Sequence, residues 1–217
     1  MMRILAFTDV HGSYDKVVEI LSKETSFDAV IVGGDLTTHG TVSEATNAIR
    51  RFQHFGKPLF VVAGNMDLPS FDPLYDSLGV NINATGAVLG EAGFFGIAGS
   101  PFTPMRTPYE ISEEEIRRRA DAGWRDIQAL RWKVFVPHAP PHDTKLDKIL
   151  LGKHVGSNAV RTLVEEKQPD VLVCGHIHES RGLDTLGKTR MVNCGAAGHG
   201  YYACIELGEA ITIELRG

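Results

Sequence analysis

Seven side chains able to bind a metal ion recur in a fixed order along the chain: Asp9 and His11, then Asp35, Asn65, His138, and finally His176 and His178. Each follows a short apolar run that reads as a β-strand. Coordinating groups therefore gather at the carboxyl ends of several strands, where open α/β sheets build their active sites. The donors are oxygen and imidazole nitrogen, with no thiolate. That mixture suits borderline divalent ions, Mn first and Ni, Fe or Zn after it. Taken singly the pieces are ordinary. Asp9-x-His11, Gly34-Asp35 and Gly64-Asn65 each also fit a turn or helix cap, and His138 alone fits a structural role. Gly175-His176-Ile177-His178 is sharper, because paired imidazoles directly after a buried strand have few structural uses. Residues two apart in an extended chain point the same way, so Asp9 and His11 are expected to share an ion. Together the set reads as a two-metal phosphoesterase centre. Two divalent ions against Asp9 and Asp35 leave a local excess of about +2, enough to hold an anionic ester. Ions about 3.5–4 Å apart would lower the pKa of a shared water toward neutrality, and the resulting hydroxide attacks phosphorus in line.

The elements needed to position these groups can be read from periodicity. Apolar runs at residues 3–8, 29–33 and 59–63 predict strands, and their uniform hydrophobicity suits a parallel sheet covered on both faces. Between them lie two predicted helices. The first is capped by Ser13 and turns Val17, Val18 and Leu21 to the core. The second opens on the Thr41–Glu44 capping pattern and buries Ala45, Ala48, Ile49 and Phe52. Short strands are expected at 87–89 and 94–99, joined by Gly90 and Gly93. A proline-rich loop at 100–110 follows, then a helix from Ser112 to about Leu130 and a strand at 133–136. Beyond a long loop at 137–156, a helix after Ser157 buries Ala159, Val160, Leu163 and Val164. A strand at 171–174 follows it, and the tail carries strand and turn signals through residue 215. The expectation is one α/β domain spanning 1–217, with two β-rich layers flanked by helices.

A chain of 217 residues is long enough for a full core, and no apolar run approaches the ~20 residues of a membrane span. The N-terminal segment reaches a carboxylate too early for a signal peptide. Cys174, Cys194 and Cys204 are sparse and odd in number, which argues for a reducing compartment and a cytoplasmic location. A net charge of −5 gives no general nucleic-acid surface. No membrane partner is expected, and homo-oligomers are compatible with the sequence.

The ordered set Asp9-x-His11, Gly34-Asp35, Gly64-Asn65, His138 and Gly175-His176-x-His178 resembles the calcineurin-like metallophosphoesterase superfamily. The resemblance covers residue 4 to about 207. Segments from Gly152 to Asn158 and from Gly175 to Gly182 look like small archaeal and bacterial phosphoesterases of unassigned substrate. It implies a four-layer α/β/β/α sandwich and a binuclear site. Asp9, His11, Asp35 and His178 would hold one ion, and Asp35, Asn65, His138 and His176 the other, with Asp35 bridging.

Many relatives carry histidine after the Gly-Asn pair, where it protonates the leaving oxygen; here that residue is Met66. A thioether cannot donate that proton. Members without the histidine are known chiefly for activity on activated diesters, so a phosphodiesterase is expected. His39 is one candidate replacement acid; His142, His154 and His199 are others, and each also fits a surface or packing role. Asp67 reads as a supporting or helix-capping carboxylate. Cys194 replaces the proline usual in relatives and reads as a buried inert thiol rather than a reactive one. Arg106, Lys145, Lys148 and Lys153, in loops expected to line the entrance, read as solvated charges that could meet phosphate. Rival readings are a nuclease or cyclic-nucleotide phosphodiesterase acting on a nucleotide, and a non-catalytic protein-binding scaffold of the same fold.

Overall fold

The computed structural model describes residues 1–24 and 26–217. The chain begins β1 (Met2–Phe7), α1 (Tyr14–Lys23), β2 (Ala29–Gly33), α2 (Val42–Gln53), β3 (Leu59–Val62) and α3 (Phe71–Ser77). It continues β4 (Gly86–Leu89), β5 (Ala92–Ile97), α4 (Glu113–Ile127), β6 (Trp132–Pro137), α5 (Asn158–Lys167) and β7 (Val171–Cys174). Strands β8 (Gly182–Leu186), β9 (Thr189–Asn193), β10 (Tyr202–Leu207) and β11 (Thr212–Arg216) complete it. One sheet has the order β11-β10-β1-β2-β3 and the other β4-β5-β6-β7-β9-β8. Strands β1, β2 and β3 are mutually parallel, as are β5, β6, β7 and β9. The outer strands β4, β8, β10 and β11 run antiparallel to their neighbours. Every residue of β2, β3, β5 and β7 is buried, as strands covered on both faces require.

Adjacent residues of β5 show how the layers are divided. Phe94 stacks on Phe60 of the first sheet, with ring centroids 4.0 Å apart, so this face of β5 lies between the sheets. Phe95 points the other way, stacking on Phe135 at 4.5 Å and meeting Trp124 of α4 edge-on. A large core thus joins the two sheets to α1 and α2, and a second core seals the outer face of the second sheet with α4 and α5. The result is the α/β/β/α sandwich that the resemblance implied.

Capping fixes where the helices begin. Thr41, Ser112 and Ser157 each accept a hydrogen bond from the backbone N–H three residues on, satisfying one donor of the first turn. Glu113 then reaches to Ser157 Oγ and to the N–H groups of Asn158 and Ala159, so α4 also caps α5.

Several expectations need correction. Ser13 makes no side-chain cap, and Ile20 joins Val17 and Leu21 in the buried stripe of α1, with Val18 half-buried against the same core. Gly93 lies inside β5 instead of joining two strands. A Cβ there would sit 2.5 Å from Ile127 Cβ, so glycine lets α4 lie against the sheet. Helix α4 ends at Ile127, short of Leu130. Helix α3, which the sequence reading did not anticipate, carries Pro73 in its first turn, where N–H groups lack intrahelical partners anyway.

Candidate metal centre

The loops leaving the parallel strands interlock before any ion is considered. Past β1, Asp9 N–H donates to Gly34 O at 3.0 Å, His11 N–H to Asp35 O at 2.9 Å and Gly12 N–H to Leu36 O at 3.1 Å. Asp67 ties the next pair of loops. Its carboxylate accepts from the N–H groups of Leu36, Thr37 and Gly64 and from the Thr37 hydroxyl, all within 3.0 Å. The supporting role expected for Asp67 is thus specific: it fixes Asp35 relative to Asn65.

These crossings force unusual backbone. Asp9, His11, Asp35 and His176 adopt left-handed φ values of 52°, 45°, 49° and 66°. Non-glycine residues held there cost about 1–3 kcal/mol each and cluster at functional sites. Asp9 and His11 are therefore not in extended chain as the triplet suggested; a tight turn brings them together instead. Glycines permit the closest approaches. A Cβ on Gly34 would overlap the His138 ring, one on Gly64 the Asp35 carboxylate, and one on Gly175 the Asp9 carboxylate.

All seven sequence-selected side chains converge. Asp9, His11 and His178 bring one potential ligand atom each within 4.8 Å of one another, and so do Asp9, Asp35 and His138. Asp35 Oδ2 lies 3.6 Å from His11 Nε2 and 3.5 Å from His138 Nε2, between the two groups. His178 Nε2 is 3.2 Å from Asp9 Oδ1. On the other side, Asn65 Oδ1 meets His138 Nε2 at 2.9 Å and His176 Nδ1 at 2.8 Å. The two histidines of Gly-His-Ile-His therefore part: the His176 ring faces His138 at 5.2 Å, and the His178 ring faces His11 at 5.3 Å.

Charge at the centre favours cations. Burial would neutralise the His138 ring, but the carboxylates of Asp35 and Asp9 outweigh it and push its pKa up to about 9. His176, also desolvated and repelled by His138, is pushed down to about 4. Burial works to raise the Asp9 pKa, yet the His178 hydrogen bond and the His138 and His178 charges hold the carboxyl below its usual range. Gly33 O can only accept, so the 2.9 Å contact from His138 Nδ1 fixes the ring proton there and turns Nε2 toward Asp35 and Asn65. A neutral His138 would thus offer a lone pair where the acidic groups already favour positive charge. The donor set fits divalent ions.

A family model for calcineurin-like phosphoesterases matches residues 2–180. The chain belongs to this family. An uncharacterized protein of Methanocaldococcus jannaschii is 33% identical over 196 residues, covering 88% of this chain and 87% of that one. Among solved structures, the fold is similar to TT1561 of Thermus thermophilus, with TM-score 0.77, 19% identity and 98% of each chain covered. It is similar as well to a dimetal phosphatase from Danio rerio, with TM-score 0.69, 13% identity, 100% of this chain covered and 96% of that one.

The other residues singled out in this phosphoesterase separate into those near the centre and those away from it. Met66 is half-buried and donates its N–H to Asp35 Oδ1 at 2.7 Å. His39 is exposed, with φ 56°, and its N–H donates to the Met66 carbonyl at 3.0 Å. His154 is held by Asp147 at 2.7 Å, and the N–H of His142 donates to Ser157 O. His199 is exposed in the loop whose Ala197 N–H bonds Thr8 O and Asp9 O. Cys194 is buried, and burial with the Asp9 charge pushes its thiol well up, which leaves it inert at neutral pH. Arg106, Lys145, Lys148 and Lys153 are all exposed.

The sequence reading missed three supports. Thr38 Oγ1 lies 2.8 Å from His11 Nδ1. Gly33 O orients His138. Buried Asn193 donates to the carbonyls of Leu146, Gly175 and Ile177 while accepting from Gly195 N–H. Only Asn193 left a trace in the sequence, as the residue just before Cys194, the position where relatives usually carry proline.

Proposed function

We propose that this phosphoesterase is a two-metal phosphoric ester hydrolase that favours diesters. Asp9, His11, Asp35 and His178 hold one divalent ion, and Asp35, Asn65, His138 and His176 hold the other. Mn is assigned first, ahead of Ni, Fe and Zn. The observation that carries this reading is the place of Asp35, whose Oδ2 lies within 3.6 Å of both His11 Nε2 and His138 Nε2. Bound there, the ions would supply an activated water and positive charge against the phosphoryl oxygens.

The chain's own residues do the rest. Gly33 O and Thr38 Oγ1 orient His138 and His11 through Nδ1, leaving both Nε2 atoms for coordination. Met66 N–H steadies Asp35 Oδ1, leaving Oδ2 near His11 and His138. The Met66 thioether supplies no proton to a departing alkoxide, and a positioned acid is worth ~10²–10⁴-fold. Substrates whose leaving group departs without that help, such as activated diesters, are therefore preferred. Where a proton is needed, His39 is the candidate donor, because its backbone is bonded to Met66.

The test compares an activated aryl phosphodiester with the matching monoester in Mn²⁺. Faster diester turnover is expected, and a strong monoester bias removes the preference. Adding cyclic nucleotides and single-stranded DNA separates a nucleotide-directed enzyme from a general diesterase. Absence of turnover across Mn, Ni, Fe and Zn would return the chain to the scaffold reading.

A further inference from the structure

The loop between β6 and α5 folds its middle into a small hairpin. Lys148 pairs antiparallel with His154, Ile149 N–H donates to Lys153 O at 3.0 Å, and Gly152 N–H donates to Ile149 O at 2.8 Å. Leu150 and Leu151 thus occupy both corners of a tight turn, 89% and 83% exposed. Turn corners ordinarily take Gly, Pro, Asn, Asp or Ser. Here two leucines protrude, flanked by the exposed Lys148 and Lys153.

The root beneath this tip is firmly built. Buried Asp147 accepts from the N–H groups of Asp143, Thr144 and Gly156 and pairs with His154. Ser180 Oγ accepts from Lys148 N–H and donates to Lys148 O, fastening the hairpin to the turn that begins at His178. Of the exposed acids nearby, Asp143 lies at the root, 3.6 Å from Arg161, and Glu179 on the adjoining turn; none lies within the 148–153 tip.

The loop after neighbouring β5 repeats the design. Glu110 gathers the N–H and hydroxyl groups of Thr103 and Thr107 at its root. Beyond it stand Phe102 and Met105, 71% and 81% exposed, beside the exposed Arg106. Strands β5 and β6 are parallel and in register at their ends, Ile97 opposite Pro137, so both loops leave the same edge of the sheet. Two exposed apolar tips, one with Lys148 and Lys153 beside its leucines and the other with Arg106 beside Phe102 and Met105, stand on a chain whose net charge is −5.

We propose that these two tips dock the protein on an anionic lipid bilayer, with the leucines, Phe102 and Met105 entering the interface and the basic residues meeting the headgroups. Interfacial binding combines these two terms, buried apolar area and attraction to anionic lipid. The contact is peripheral: among the described residues no helix is long and apolar enough to cross a membrane. It revises, for this one surface, the expectation that no membrane partner exists.

The experiment uses the full chain and sedimentation with vesicles of phosphatidylglycerol and phosphatidylcholine in equal parts, against phosphatidylcholine alone. The wild type is expected to pellet with the anionic vesicles, and raised salt weakens this. Leu150→Ser/Leu151→Ser and, separately, Lys148→Glu/Lys153→Glu each lower the partition by about tenfold or more, with unchanged melting temperatures. A Leu151→Trp variant reports insertion through a blue-shifted emission on anionic vesicles. Wild type that stays in the supernatant overturns the proposal, as does undiminished pelleting of both double variants. So does a dimer on gel filtration that the leucine variant dissolves, which would make the tips a self-association surface. Turnover is not read, so the outcome is independent of the ester chemistry proposed above.

Discussion

The two halves of the metal centre are built from similar donors in different surroundings. The inner half, Asn65, His138 and His176, is sunk between the sheets, and the His138 side chain is 0% exposed. In the outer half, the His11 and His178 side chains are 25% and 43% exposed, while their neighbour Asp9 is buried. Inner donors are fixed by the Gly33 carbonyl and by one another; outer donors rest on a single hydroxyl and a carboxylate. The contrast indicates a division of labour. On the reading proposed above, the buried half would act as a frame and the exposed half would meet the arriving substrate. Asp35 belongs to both, which couples them.

Breaking that coupling gives the largest expected effect. Asp35→Asn should lower ester hydrolysis by on the order of 10³-fold, the scale on which a preorganised charge-stabilising group acts. Elemental analysis should then find less than one firmly held ion per chain. Retention of two ions would show the halves to be independent. A chelator should next strip the centre in two phases, the outer ion leaving first. His178→Gln should remove the fast phase and His138→Gln the slow one. A single phase would erase the distinction. A smaller effect is expected from Thr38→Val, which frees the His11 ring and weakens the outer ion by about 10–100-fold. Titration of the chelated protein with Mn²⁺ should show the change in that step alone.

The smallest effect is in the pH dependence of the metal-free protein. His138 is raised to about 9, so its contribution is full below its ordinary 6.5 and is lost as pH climbs through 9. His176 is lowered to about 4, so the unfolded chain takes up a proton first and stability falls as pH drops from 6.5 toward 4. Thermal melting should therefore peak near the ordinary histidine pKa of about 6.5, and His138→Gln should flatten the alkaline side and, by removing the charge that repels His176, soften the acid side as well. A flat profile in the unmodified protein would mean that neither the Asp35 and Asp9 charges at His138 nor the burial of His176 acts as described.

Much of the centre was legible in the sequence, because ligands must be particular residue types and strand ends mark where they lie. Asp35 after Gly33-Gly34, and the paired histidines after β7, carry their position in their flanks. The family resemblance supplied the division of His176 and His178 between two ions, which spacing alone does not give. What spacing got wrong was local backbone. The Asp9-x-His11 triplet suggested extended chain, whereas the zipper to the β2 loop imposes left-handed turns. Supports such as Gly33 O and Thr38 were invisible, since a carbonyl has no residue signature and one threonine looks like another. Gly93 misled because glycine marks a turn as readily as a close helix contact, and only packing against Ile127 distinguishes them.

The hairpin anchored by Asp147 has a practical corollary. Its hydrogen-bonded base is complete without the side chains of residues 150 and 151, so the tip is interchangeable in principle. A peptide of different chemistry could be grafted between Ile149 and Gly152, redirecting the enzyme to another surface while the catalytic scaffold stays as it was.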